Sequence, residues 1–235
     1  MRILAFETSA KAASCAVLQD GSLLGEYYQN SGQTHSRTVM KLAQDLLTNC
    51  DLMPDDIDYV AWANGPGSFT GIRIGAAAAK GFCWGGEKPA LPVSTLEAMA
   101  YGFASDGIVC ACMDARRQQV YNAVFERKNG EVLRLTEDRA VSAEDLLAEL
   151  AALTKPILLI GDGAALCYDL FRDRLPGLTL APEHVRQQRA AGVALAAYNM
   201  LQTNGAVSAQ TAVPNYLRLS QAERERLARE TNKGD

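Results

Sequence analysis

FETSAKAASCAVLQDG (residues 6–21) and MDARRQQVYNAVFERKNG (residues 113–130) can be laid one on the other. Glu7 falls on Asp114 and Ala16-Val17 on Ala123-Val124, and Gly21 meets Gly130 after a two-residue insertion. Each stretch reads as the end of an apolar strand, a polar turn, and a second strand closed by a hairpin turn. Around the first, Arg2–Glu7, Ala13–Gln19 and Ser22–Tyr28 predict a three-stranded antiparallel meander. Around the second, Ile108–Asp114, Gln119–Glu126 and Glu131–Leu135 predict another.

Beyond the meanders the order of elements repeats as well. Ser36–Cys50 sets Val39, Met40, Ala43, Leu46, Leu47 and Cys50 on one helical face. Asp58–Ala63 reads as a short buried strand, and a glycine-rich run then opens a helix ending near Trp84. A strand at Ala90–Val93 and a helix from Thr95 complete the half. The later half offers a helix over Ala143–Leu153, a strand at Ile157–Ile160, a Gly-Asp-Gly turn and a helix over Ala164–Arg172. The strand ending Asn64-Gly65 is matched to the one ending Asp162-Gly163. A shared order of elements favours duplication over a chance likeness of two meanders.

The expected fold is α/β, built from two βββαβα halves at residues 1–104 and 105–218, with a charged tail at 219–235. Within that tail QAERERLAR (221–229) reads as a solvated helix or a frayed end. Before it, PNYLR (214–218) is expected to be anchored by Tyr216 and Leu217. The doubled unit resembles the plan of the actin/hexokinase/Hsp70 (ASKHA) superfamily. That resemblance implies ATP in the cleft, phosphate at each half's first turn, and an acid nearby for a metal or acid–base work.

The chain has 235 residues, enough for one large domain or two small ones. A net charge of −4 argues against strong nucleic-acid binding by this chain alone, which needs clustered Lys and Arg. The six cysteines form no C-x-x-C pair and sit mostly in apolar runs, as expected of reduced, buried thiols in the cytoplasm. MRILAFETS lacks the apolar core of a signal peptide, and no apolar run reaches membrane-spanning length.

NGPGSFTGIRIGAAAAKG (residues 64–81) looks like a phosphate loop, yet no register supplies G-x-x-x-x-G-K-[ST]. Gly65, Gly67 and Gly71 miss the dinucleotide spacing, and no acid ends the next strand to hold a ribose. The helix N-terminus still offers N–H groups to an anion. Gly71, Gly75, Ala78 and Ala79 share a face that admits another backbone closely, either the chain's own sheet or a partner's helix. Glu7, Thr8, Ser9, Asp114, Gly161 and Gly163 are the candidate residues of a nucleotide cleft. Arg116 stands where a phosphate-binding turn of this plan carries glycine, which puts a phosphate cradle there in doubt. His35 and His184 are the two histidines, and Val39 stands where an H-x-x-x-H metal helix needs its second imidazole.

ILAFETS, THSRTVM, IDYVAWANGPGSFTGIRIGAAAAKG, MDARRQQVY and PNYLR together resemble the TsaB (YeaZ) family. The resemblance implies a non-catalytic relative of the TsaD transferase that pairs with TsaD and TsaE in making N6-threonylcarbamoyladenosine beside the tRNA anticodon. It implies tRNA contact only through the complex, a homodimer when alone, no cofactor for the chain itself, and ATP or ADP in the complex. It places the partner interface on the N-terminal half, at His35, Arg37, Met40, Leu47, Phe69, Gly71, Ile72, Gly75 and Ala79. The alternatives are an ATPase or small-molecule kinase of the superfamily and, last, a glycoprotease-like metalloenzyme.

Overall fold

The computed structural model describes residues 1–203 and 205–218, so the expectation for the 219–235 tail lies outside the described residues. The first half runs β1 (Arg2–Glu7), β2 (Ala13–Gln19), β3 (Ser22–Gln29), α1 (His35–Asn49), β4 (Tyr59–Ala63), α2 (Phe69–Gly85), β5 (Ala90–Val93) and α3 (Thr95–Tyr101). The second runs β6 (Gly107–Asp114), β7 (Gln119–Lys128), β8 (Glu131–Arg134), β9 (Arg139–Ser142), α4 (Ala143–Leu150), β10 (Ile157–Ile160), α5 (Ala164–Phe171), β11 (Leu178–Leu180), α6 (Glu183–Arg186) and α7 (Ala190–Thr203). The sequence pattern assigns no element between 173 and 213, so β11, α6 and α7 are additions, as is the short β9.

The two sheets have one topology. The first is ordered β3-β2-β1-β4-β5, and the second, read from its other end, β8-β7-β6-β10-β11. β4 lies parallel to β1, and β10 parallel to β6. Both hairpins turn through two residues of positive φ, Asp20 and Gly21 at 50° and 83°, Asn129 and Gly130 at 54° and 86°. That is the turn whose twist matches a right-handed hairpin, and Asp-Gly and Asn-Gly supply it. The match of Asn64-Gly65 to Asp162-Gly163 needs correction. Leu4 pairs with Val60 and Ala111 with Ile160, so with Leu4 laid on Ala111 the second pair stands two residues early.

Each sheet is covered on both faces, and one helix of each half crosses over to the other. α1 and α2 cover one face of the first sheet through Val39, Leu46, Ala76 and Cys83 against Leu4, Phe6 and Trp62. Its other face holds Ile3, Ala5 and Leu18 under α7. α4 and α5 cover the second sheet through Leu146, Leu150, Cys167 and Phe171. Its other face packs Val109, Ala111 and Phe125 against Leu96 and Met99 of α3. Ser94 caps α3 by accepting from the Glu97 N–H and donates its own hydroxyl to Asp138 (2.6 Å). Arg134 closes this join by donating to Asp138 (2.6 Å) and Glu97 (2.9 Å). All six cysteines are free thiols and all but Cys50 are buried, as expected. No helix among the described residues is long and apolar enough to cross a membrane.

Candidate functional site

The glycine run is filled by the chain's own first turn. Ser68 donates its N–H to the Ser9 carbonyl (2.7 Å), and its hydroxyl caps α2 by accepting from the Gly71 N–H (3.3 Å). A Cβ on Gly67 would stand 2.6 Å from the Ser9 carbonyl oxygen and 3.1 Å from Met113 Cε of the second half. The close approach that glycines give a phosphate is here given to protein backbone.

The stripe Gly71, Gly75, Ala79 faces inward. All three are buried, as are Leu47 and Ile72, which corrects the placing of these five on an outward surface. The physical reason is Thr8. Its hydroxyl donates to the Gly71 carbonyl (2.8 Å), a Cβ on Gly71 would run into the Thr8 carbonyl, and one on Gly75 would run into the Thr8 hydroxyl. Of the other interface candidates, Arg37 and Met40 are exposed and Phe69 is half-buried. His35 is half-buried and donates Nε2–H to the Ala10 carbonyl (2.7 Å). The face of α2 that does look outward carries Thr70, Arg73, Ala77, Gly81 and Trp84, the last 86% exposed. The i, i+3, i+4 spacing of these residues is in the sequence, but spacing does not say which of two stripes meets the core.

The candidate cleft residues Glu7, Asp114 and Gly161–Gly163 stand at or just past the carboxyl ends of β1, β6 and β10, where open α/β sheets bind ligands. Glu7 ends β1 fully buried, with one carboxylate oxygen accepting from the Ser9 N–H (2.5 Å). Its other oxygen, the Ser9 hydroxyl and the Gln188 side-chain amide oxygen are buried without a partner among the described residues. Burial pushes the Glu7 carboxyl up to about 7, the Ser9 bonds oppose this, and the charge on Asp162 adds to it. Asp162 is raised too, chiefly by burial, although Gln188 Nε2 donates to it (2.8 Å). Gln188, between α6 and α7, escapes a reading of the sequence because no local pattern marks it.

Asp114 is exposed and repeats the Glu7 arrangement, its carboxylate accepting from the Arg116 N–H (2.7 Å). Arg116, Arg117 and Gln118 take φ of 65°, 56° and 56° in succession. Arg116 therefore keeps the backbone of a glycine turn but puts a side chain where a phosphate would approach. The conformation costs on the order of 1–2 kcal/mol at each non-glycine residue. Gly161 and Gly163 serve packing, since a Cβ at either would strike the backbone at the end of β6. Among the described residues no three His, Cys, Asp or Glu side chains are grouped to hold a metal ion.

Comparison with known proteins agrees with this doubled architecture. The TsaD family model, described as tRNA N6-adenosine threonylcarbamoyltransferase, matches residues 27–226. The tRNA threonylcarbamoyladenosine biosynthesis protein TsaB of Bacillus subtilis is 33% identical over 228 residues, covering 95% of this chain and 96% of its own. The chain belongs to the TsaB (YeaZ) family. The solved structure of YeaZ from Pseudomonas aeruginosa superposes with a TM-score of 0.76 at 25% identity, covering 92% of this chain and 99% of its own. Component A of the (R)-2-hydroxyglutaryl-CoA dehydratase of Acidaminococcus fermentans has a TM-score of 0.51 at 14% identity over 86% of this chain and 100% of its own, a likeness of fold alone. The chain thus has the ASKHA fold, with two mixed sheets of one order.

Proposed function

We propose that this TsaB-family chain is a non-catalytic subunit of the cytoplasmic machinery that makes N6-threonylcarbamoyladenosine on tRNA, pairing with a TsaD-type transferase. One observation carries the reading: the glycine run that would cradle phosphate is occupied by Thr8 and Ser9 of the same chain. Residues 1–104 form the partner-binding half in this reading and residues 105–218 the other, with TsaE and tRNA met through the complex. Without its partner the chain pairs with itself. It carries no cofactor of its own, and ATP or ADP belongs to the assembly.

The partner surface is the outward face of α1 and α2. Arg37 and Met40 remain from the expected set with Phe69 at its edge, where Tyr216 and Arg73 of the same chain cover it, and Ala77 and Trp84 join them. Met40 is 46% exposed, so a charge there leaves the fold intact. Met40→Glu and Ala77→Glu are each expected to weaken co-elution with the transferase by about tenfold or more, since a buried unpaired charge costs well over 1.4 kcal/mol. Unchanged co-elution of both variants removes this surface from the proposal.

Titration of the isolated chain with Mg–ATP in a calorimeter is expected to give no micromolar binding. Micromolar binding with turnover would instead establish the ATPase or kinase reading, for which the buried Glu7 beside the half-buried Asp162 is the favourable observation.

A further inference from the structure

Residues 213–218 join the two halves across the carboxyl ends of the strands. At one end the segment is seated on the loop after β4. The Asn215 N–H donates to the Asn64 carbonyl (2.8 Å), and Asn64 Nδ2 donates to the Val213 carbonyl (2.8 Å). The Asn215 carbonyl fills the space where Gly65 lacks a Cβ. Tyr216 stacks on Phe69 with ring centroids 4.1 Å apart, and Arg73 lies 4.2 Å over Phe69 while donating to the Tyr216 hydroxyl (3.0 Å).

At the other end, two residues on, the segment grips the second half. Arg218 donates to the Ala115 carbonyl (2.8 Å) and to the Gln119 side chain, and its guanidinium lies 5.6 Å from the Tyr121 ring centre. Ala115 and Gln119 bracket the three left-handed residues 116–118. A strained turn persists where its surroundings over-determine it, and Arg218 supplies two of the bonds that do so.

We propose that residues 213–218 are a clamp across the cleft, so that the glycine loop of the first half and the strained turn of the second are released together or not at all. Each anchor is small, a stacked ring with three hydrogen bonds at one end and two hydrogen bonds at the other, and contacts of this kind are individually weak. Because six residues carry both anchors, loss of one leaves the other on a tether free to swing. Separating the two loops therefore requires peeling the segment from both ends, beside whatever the crossover helices α3 and α7 hold elsewhere.

Amide hydrogen exchange on the full chain tests this with Tyr216→Ala, which removes the stack on Phe69 and the bond from Arg73, and Arg218→Ala, which removes both bonds to the second half. Each variant is expected to speed exchange by about tenfold in both 64–72 and 114–120, the response to losing about 1.4 kcal/mol of local closing energy. α4 and α5, remote from the clamp, should keep their protection. Faster exchange confined to the cut end, or spread equally through α4 and α5, overturns the clamp. If Tyr216→Ala fails to fold, Arg218→Ala decides alone: unchanged exchange at 64–72 overturns it.

Discussion

Glu7→Gln should stabilise the protein by about 3 kcal/mol at pH 8 and change it little at pH 4. Burial raises the Glu7 carboxyl from its ordinary 4.5 to about 7. Between those values the folded protein holds a proton that the unfolded chain has released. Stability therefore falls as pH rises from about 4.5 to about 7 and then levels off. A gap of about 2.5 pH units at about 1.36 kcal/mol each sets the size. Glutamine removes the titration, keeps an oxygen to accept from the Ser9 N–H, and so flattens the profile. Asp162 is also raised, by burial first, so a smaller decline of the same sign remains in the variant. Denaturant midpoints of both proteins from pH 4 to pH 9 check this, and parallel profiles would sink it. The carboxyl's cost has no return in packing, for an apolar side chain would fill the end of β1 more cheaply. A local rule broken in this way is what a site, and not a core position, is expected to show.

How much of the fold was legible in the sequence depends on where the physics is local. The hairpin turns Asp20-Gly21 and Asn129-Gly130 carry their own geometry, so the duplication could be read from turn residues and strand alternation. α1 shows its buried stripe because its other face is polar. α7 shows none: AAGVALAAYNMLQT is apolar over most of its circumference, as suits a helix held between the first sheet and α3. Its docking is set by Gly192, where a Cβ would strike the Ala98 carbonyl, a contact far away in the chain. The site divides the same way. Glu7 and Asp114 end apolar strands and could be picked out, and Tyr216 could be read as an anchor although its partner Phe69 could not, whereas Gln188 and Arg218 act through partners that only the fold brings close. The glycine stripe of α2 falls between the two cases, since its spacing was plain and its direction depended on Thr8, 63 residues earlier.

That direction yields the sharpest mutational test. Were Gly71 and Gly75 facing a partner, alanine at either would raise the stability of the isolated chain by about 1 kcal/mol through helix propensity. The inward packing reverses the sign. At Gly75 the obstacle is the Thr8 hydroxyl, a short, β-branched, buried group held by its bond to the Gly71 carbonyl. Overpacking of this kind costs about 1–3 kcal/mol, enough to outweigh the helical gain. With Thr8→Ala in place, the nearest remaining atom to the new methyl is the residue 8 Cβ at 3.7 Å, an ordinary contact. Gly75→Ala should then become neutral or stabilising, although Thr8→Ala itself loses a buried hydrogen bond worth about 1 kcal/mol. The two changes are coupled by about 2 kcal/mol. At Gly71 the obstacle is the Thr8 backbone carbonyl, which no side-chain change removes. Gly71→Ala should therefore cost about 3 kcal/mol with Thr8 or Ala at position 8 alike. Urea midpoints of the two cycles distinguish the cases: rescue at 75 without rescue at 71 is expected, and a stabilised Gly71→Ala single variant would show that the stripe faces outward.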